Sequence, residues 1–392
     1  MEKKTQKKNR LPKQYWAKKL HKCISVTIIA IVVVFVGLNL LKKDGGMSEK
    51  ENRMLASFPT VSFEGITSGQ FMSEYETYKS DQFVFRDFWV SLKTWIDSLS
   101  GKNYSNGVYK GKKGYLIEEA AKPDEENLKK NIDAINSLAD GGKVKVYTMF
   151  IPNAVMTMPE VLPAFAPVRS QEEDMSNLRS ALSGNVIDID VTDTLKEHMD
   201  EQMYYHTDHH WTTRGAYYSF MKAAESLGID SREVDYDIYK VSSDFVGTMA
   251  STSGYGGKKD TMEVFLPVNS SVQYIIEYVE EQKKTASLYQ SDKLEGYDKY
   301  AFFLGGNSPI LRIKTTASSD KTLMVLKDSY ANCFLSFLIP YYKEIVVVDP
   351  RYYYNDIYRE IESENISEVL FLYNANTFFE DNSISSVLTQ YN

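Results

Sequence analysis

Cysteine is nearly missing from this 392-residue chain, which has only Cys23 and Cys333. One sits at the edge of an apolar run and the other deep in the body, so they are not expected to pair. Two thiols so far apart also exclude a cysteine-built zinc site. A chain of this length can bury a sufficient core without a disulfide. Basic charge is equally thin outside the N-terminus. Residues 1–22 hold nine Lys or Arg against the single acid Glu2, whereas the whole chain has 45 basic and 53 acidic residues. Beyond residue 22 this leaves 36 against 52, a formal −16. Such an acidic body has no general attraction for phosphate backbones, which excludes nucleic acid as the expected partner. Internal repeats are absent too.

There is one long hydrophobic run. Residues 24–41 (ISVTIIAIVVVFVGLNLL) carry no charge and are about long enough to cross a bilayer. Basic residues crowd the N-terminal side of this run, so the positive-inside rule leaves the N-terminus in the cytoplasm. The run is long for the core of a cleaved signal peptide, and no A-x-A-like site follows it. The expected organisation is a cytoplasmic basic tail at 1–23, a transmembrane signal anchor at 24–41, a linker at 42–60 and an extracytoplasmic domain at 61–392. The protein is thus expected in the cell membrane as a single-pass chain.

Within the exported part, residues 68–96 place Phe71, Tyr75, Tyr78, Phe88, Leu92 and Ile96 at helical spacing, which predicts an amphipathic helical pair. Helix and strand then alternate. Leu128, Ile132, Ile135 and Ala139 mark a helix stopped by Gly141-Gly142, and 144–151 (VKVYTMFI) reads as a buried strand. A helix carrying Met175, Leu178 and Leu182 precedes a short strand at 186–190, and another helix spans 213–227 between Thr212 and Gly228. Residues 240–320 are rich in Ser, Gly, Thr and Tyr and read as an irregular β excursion from the main sheet. Strands return at 323–327 (LMVLK), 345–349 (IVVVD) and 369–373 (VLFLY), with helices through 330–339 and around 354–364. Continuous apolar strands between helices suit a sheet covered on both faces. The fold class is therefore α/β, a three-layer α/β/α domain with a mainly parallel sheet. In such sheets chemistry gathers at the carboxyl ends of the strands. Polar residues stand there at Pro152-Asn153, Asp328-Ser329, Asp349-Pro350-Arg351 and Asn374-Ala375-Asn376.

The five histidines are His21, His198, His206, His209 and His210, and three of them fall in YYHTDHHWTTRG (204–215). Asp208 and His210 stand two residues apart, a spacing that lets a short extended segment turn both side chains to one side. A carboxylate there can fix the imidazole tautomer and favour the imidazolium formed in proton transfer. Ser329 is the candidate nucleophile, placed where LMVLK turns into a helix. The helix N-terminus would offer backbone N–H groups to an oxyanion. By position alone Asp328 or Ser329 serves equally well as a helix cap; beside the Asp-x-His pair the catalytic reading gains. The cluster of His206, Asp208, His209 and His210 is also rich in metal ligands, but no separate acidic or cysteine set accompanies it, and no metal is expected. Arg351 could orient a substrate oxygen, hold the triad loop or form a structural salt bridge. With Tyr330, Asn374 and His209 it completes the substrate-side candidates. Asn374 and Asn307 could donate to an oxyanion, although turn duty is the reading their residue type favours, and Trp211 and most of the 28 tyrosines suit packing.

The tetrad DHHW at 208–211 is the signature of the DHHW family, which the chain resembles over nearly all its exported part. ENRMLASFPT (51–60), YETYKSDQFVFRD (75–87), LKDSYANCF (326–334) and VVVDPRYY (346–353) carry the resemblance with it. The family is similar in turn to the SGNH-like domains of alginate O-acetyltransferases. Matched motif by motif, this likeness implies Asp208 as acid, His210 as base and Ser329 as nucleophile, in the order Asp, His, Ser. It implies transfer of an acetyl group to a cell-surface or secreted polysaccharide, without a cofactor. It also implies a membrane-bound O-acyltransferase partner that delivers the acyl group across the bilayer. An esterase with the same triad and a non-catalytic scaffold of a polysaccharide assembly complex stand as alternatives.

Overall fold

The computed structural model describes residues 13–48 and 53–389. The first residues of the basic tail, part of the linker and residues 390–392 lie outside the described residues. The chain divides into two compact units with the boundary near Val90, later than the boundary at residue 60 drawn from sequence.

In the first unit, helix α1 (Lys13–Leu41) is 29 residues long. The most apolar eighteen residues of its stretch Trp16–Leu41 have a mean hydropathy of 2.8, and the stretch is long and apolar enough to cross a membrane. The predicted helical pair follows as α2 (Gln70–Gln82), within this unit, and α3 (Arg86–Leu99), which runs across the boundary. The aromatic stripe of α2 collects around Phe58, whose ring centroid lies 6.4, 5.9 and 5.4 Å from those of Phe71, Tyr75 and Tyr78. Edge-on geometries at these distances are the favoured arrangement for aromatic rings.

In the second unit a small three-stranded antiparallel sheet over residues 104–118 precedes α4 (Glu125–Asp140), whose N-cap Asp124 accepts the N–H groups of Glu126 and Asn127. The helix presents Leu128, Ile132, Ile135 and Ala139 to the core, the residues whose spacing predicted it. Then come β1 (Lys145–Ile151), α5 (Gln171–Ser180), β2 (Val186–Asp188) and α6 (Thr213–Leu227). Thr212 caps α6, and Gly228 ends it at φ 65°, the left-handed region glycine favours. The middle segment holds β3 (Tyr236–Phe245), α7 (Thr248–Ser253), β4 (Asp260–Pro267), β5 (Tyr274–Tyr278), β6 (Lys283–Thr285) and β7 (Ile310–Thr315). The last third contributes β8 (Thr322–Lys327), α8 (Ala331–Leu338), β9 (Glu344–Val348) and α9 (Ile357–Ser363). It ends in β10 (Glu368–Asn374), α10 (Ala375–Glu380) and α11 (Ile384–Thr389).

Eight strands form one sheet in the order β6-β5-β7-β9-β8-β10-β1-β2. From β9 to β2 all pairings are parallel, and β7, β5 and β6 add antiparallel strands at one edge. Alternate residues of the central strands face opposite cores. Met149, Val325, Val347 and Leu372 pack with Ala216, Phe220, Phe334 and Phe337 on one side. Phe150, Leu326, Val348 and Phe371 pack with Ile135, Ile357 and Val387 on the other.

One expectation needs correction. The segment at 240–320 is not wholly an excursion. Its first part is the separate β3–β4 ribbon, but its later part supplies the antiparallel edge of the main sheet. These strands are short and half exposed on one face, so their alternation is easily lost among neighbouring turns.

Leu372→Ala in central strand β10, where Leu372 is fully buried, is expected to cost about 2–5 kcal/mol. Ile187→Ala in edge strand β2, where Ile187 is exposed, should cost less than about 1 kcal/mol. Urea unfolding midpoints of the two variants check this ordering.

Candidate active site

Strands β1, β8, β9 and β10 run in the same direction, so the polar residues following each of them meet at one end of the sheet. Amide side chains join the strand ends. Gln171 Nε2 donates to Asn153 Oδ1 at 2.9 Å and to Asn376 Oδ1 at 2.8 Å. Asn153 and Asn376 each donate to Glu118 Oε2, at 3.1 and 3.0 Å. The Asp328 carboxylate ties β8 to β10 by accepting the Asn374 N–H at 2.9 Å, and its other oxygen accepts the Tyr330 N–H at 2.9 Å. Ser329 is thereby held on a tight turn just before α8.

The loop before α6 brings the other half of the site. His210 Nε2 lies 2.7 Å from Ser329 Oγ, and His210 Nδ1 lies 2.5 Å from Asp208 Oδ1. These are hydrogen-bond distances between residues 119 positions apart in the first pair and two apart in the second. The Asp208 carboxylate also accepts the His210 N–H at 3.0 Å, the Thr248 N–H at 2.9 Å and the Thr248 hydroxyl at 3.2 Å. Asp208 is buried, and Ser329 is half-buried.

Charge in this site follows from burial and neighbours. Burial opposes ionisation of Asp208, but the adjacent His209 and His210 and the Thr248 N–H outweigh it and hold the carboxyl well below its ordinary range. Burial, reinforced by the His209 charge, pushes His210 down to about 4 against the pull of Asp208. The imidazole is therefore neutral near pH 7, the state in which Nε2 can accept a proton. His209 goes the other way. Burial acts to lower it, yet Asp208, Glu118, Asp328 and Asp298 together raise it above its ordinary value.

Several parts of the site come from residues the sequence did not single out. Tyr300 stacks its ring on His210 with centroids 3.7 Å apart, and its hydroxyl donates to the Ser329 carbonyl at 3.3 Å. Thr248, at the start of α7, both bonds Asp208 and stands 3.0 Å from His209 Nδ1. Gly247 leaves room for Asp208, since a Cβ there would fall 2.2 Å from the Asp208 Cβ. Asp260 accepts the N–H groups of His206 and Thr207 at 2.9 and 3.1 Å and fixes the turn that presents Asp208. All four belong to the segment read from sequence as irregular. The composition of that segment hid them, although its clustered glycines and threonines were a signal of close backbone approach.

The substrate-side candidates separate into two groups. His209 and Asn374 line a cleft of about 470 Å³ together with Thr248, Asn376, Glu118 and Glu119. Asn374 there also caps α10 through its side-chain oxygen. Tyr330 is instead fully buried, donating its hydroxyl to the His209 carbonyl, and its own carbonyl accepts the Trp211 indole N–H at 2.9 Å. It braces the loop from beneath and offers no surface to a ligand. Arg351 forms two bonds to Asp349, at 2.8 and 2.7 Å, within its own turn. That pairing is the structural salt bridge among the readings open from sequence, and it engages no carboxylate of the triad loop.

The metal alternative loses its fourth member. His206 stacks on Tyr115 and places Nδ1 2.7 Å from Asp260. The donors of Asp208, His209 and His210 do lie within 4.8 Å of one another. A cation held by His210 would have to displace either its bond to Asp208 or its bond to Ser329. The helix start also differs from expectation, because the Tyr330 and Ala331 N–H groups are both taken by Asp328.

Nitrogen-15 histidine NMR tests the charge pattern. His210 is expected to titrate below its ordinary value and His209 above it. The variant His209→Gln removes a neighbouring positive charge, so the His210 midpoint should rise. An unchanged midpoint would show that the two rings are not coupled.

The family model for DHHW proteins matches residues 127–348, more than half of the chain. No curated protein matches the sequence. Among solved structures, the fold is similar to a DHHW family protein from Eubacterium siraeum, at 24% identity and a TM-score of 0.61, covering 72% of this chain and 95% of that one. It is also similar to Bacillus cereus PatB1 bearing a sulfonyl adduct, at 19% identity and a TM-score of 0.58, covering 68% of this chain and 93% of that one. A more distant likeness, at 13% identity and a TM-score of 0.45, covers 73% of this chain and 99% of the O-acetyltransferase domain of Pseudomonas putida AlgJ. The matched region contains the D-H-H-W tetrad, the capping threonine of α6 and the strand that delivers Ser329, and by that match the chain belongs to the DHHW family.

Proposed function

We propose that the protein is an extracytoplasmic serine O-acyltransferase that acetylates a cell-surface or secreted polysaccharide, anchored by α1 with its N-terminus in the cytoplasm. The observation that carries the chemistry is the unbroken line Asp208–His210–Ser329, with spacings of 2.5 and 2.7 Å. The sequence resemblance to alginate-type SGNH-like domains supplies the acyl group and acceptor class.

In the first half-reaction, His210 Nε2 takes the Ser329 hydroxyl proton as Oγ attacks the acyl carbonyl of the donor. The bond from that carbon to the leaving group breaks, and the imidazolium returns its proton to the leaving group. In the second, a sugar hydroxyl gives its proton to His210 while its oxygen attacks the acyl carbon. The bond to Ser329 Oγ breaks, and the proton passes back to the serine. Asp208 stays ionised and stabilises each imidazolium. The Ser329 N–H, which none of the bonds at the turn uses, faces the developing oxyanion in this scheme. Because the domain lies outside the cytoplasm, a membrane-bound O-acyltransferase passes it the acyl group. PatB1, similar in fold, carries a sulfonyl adduct, and sulfonyl electrophiles as a class react with activated nucleophiles.

The test uses a chromogenic acetyl ester with the purified chain, with and without oligosaccharides. Stable acetylated sugar is expected; acetate release that ignores added sugar identifies an esterase instead. Ser329→Ala should lower the rate by about a thousandfold or more and abolish covalent labelling by a sulfonyl fluoride. If Ser329→Ala leaves polymer acetylation in cells intact while deletion of the domain abolishes it, the domain is a scaffold.

The pH profile carries a sign. The neutral His210 is the base, and its value is lowered to about 4. Activity is therefore present above the folded value and lost as pH falls through it. The acid limb of kcat/KM should lie below the ordinary histidine value of about 6.5. Gly247→Ala, which crowds Asp208, should reduce kcat more than it changes KM.

A further inference from the structure

The first unit presents aromatic side chains that the reaction does not use. In the stretch 83–89 (FVFRDFW), Phe83, Phe85, Phe88 and Trp89 are 40, 62, 58 and 37% exposed. Phe85 also adopts φ 57°, a left-handed conformation that bulky residues avoid. A strained, largely exposed phenylalanine beside three other aromatics gains nothing from water.

The same stretch is fastened to the end of α1. The Phe35 ring stacks with Phe83 at 6.4 Å and meets Trp89 at 5.7 Å. Asn39 donates to the Phe35 carbonyl at 2.8 Å and accepts the Val84 N–H at 3.0 Å. Gln82 exchanges hydrogen bonds with both backbone groups of Gly45, each at 2.9 Å, and its carbonyl accepts the Lys42 ammonium at 3.0 Å. Phe35 and Asn39 lie inside the apolar stretch Trp16–Leu41. At 1.5 Å per residue, Phe35 sits about 9 Å before the end of that stretch. A segment pinned to Phe35 and Asn39 therefore sits at the depth where a bilayer passes from acyl chains to headgroups.

Polar groups at that depth must be satisfied within the protein. The pairing of the Asn39 amide with the Val84 N–H does this, and the Trp89 indole N–H donates to the Val84 carbonyl at 3.2 Å. The charged pair inside the stretch is Arg86 and Asp87, with Arg86 3.6 Å from Asp81 and 3.7 Å from Asp87. Tryptophan and other aromatics flanking such charges are the type that collects at membrane interfaces.

We infer that residues 83–89 form a second membrane-embedded element, inserting Phe83, Phe85, Phe88 and Trp89 into the lipid interface beside the C-terminal end of α1. The occupant of this aromatic surface is the phospholipid bilayer itself, by continuity with the span. The inference rests on α1 crossing the membrane, and it is independent of the triad.

The full chain, with Cys23 replaced by Ser, is labelled with an environment-sensitive fluorophore at Phe85→Cys, Phe88→Cys, Val33→Cys or Phe165→Cys. Each is reconstituted in phosphatidylcholine–phosphatidylglycerol vesicles containing a nitroxide placed shallow in the acyl chain. Labels at 85 and 88 are expected to emit blue-shifted light and to be quenched at least about twofold more than the label at the exposed Phe165. If 85 and 88 match Phe165 while Val33 is quenched, the span stands and the inference fails. If Val33 is not quenched either, the span reading falls and takes the inference with it. Circular dichroism matched to the unlabelled chain confirms that each variant is folded.

Discussion

A buried carboxylate is the constraint around which the rest of this site is arranged. Removing the Asp208 charge from water is costly unless donors replace the lost hydration. The backbone N–H of His210, the N–H and hydroxyl of Thr248 and the imidazole of His210 do so. Two of these donors come from a residue forty positions away, in a segment outside the main sheet that also packs Phe245, Met262 and Phe265 into the core. The β3–β4 ribbon and α7 carry Thr248 and Gly247 to the one place where a threonine donates and a glycine makes room. Asp260, at the start of β4, fixes the preceding turn from the other side. The ionised Asp208 in turn sets the tautomer of His210, and His210 sets the state of Ser329.

The parallel sheet supplies the other requirement. Ser329 and the D-H-H-W loop are distant in sequence, so their approach depends on β8 and β10 lying side by side and on α6 and α8 packing on the same face. Ala216, Phe220, Phe334 and Phe337 lie in one cluster on that face. Trp211, inside the signature tetrad, joins this cluster and bonds the carbonyl of Tyr330. The tryptophan of the motif is thus a structural link between the D-H-H-W loop and the turn that carries Ser329.

Much of this was legible in the sequence, for identifiable reasons. The strands β1, β8, β9 and β10 are continuous apolar runs because they are buried on both faces. The helices α4 and α6 announce themselves by period and by caps at Asp124, Thr212 and Gly228. Asp208, His210 and Ser329 stood out because histidine is scarce and their surroundings are distinctive. Tyr300, Thr248 and Gly247 were not legible. Their roles depend on contacts across some forty to ninety residues, and each is a common residue in a polar, glycine-rich stretch. Tyr330 misled for the complementary reason. Adjacency to a nucleophile or a strand end says where a residue lies along the chain, not whether its side chain turns inward.

The packing around the imidazole has a mechanistic consequence. His210 is held at Nδ1 by Asp208 and crowded by the rings of Tyr300, His209 and Tyr330, with centroids at 3.7, 4.0 and 5.2 Å. A ring so confined cannot turn over between steps, so in the proposed reaction every proton must travel through Nε2. Leaving group and acceptor then need the same small region of space beside that nitrogen. They cannot occupy it together, and the two substrates must take turns.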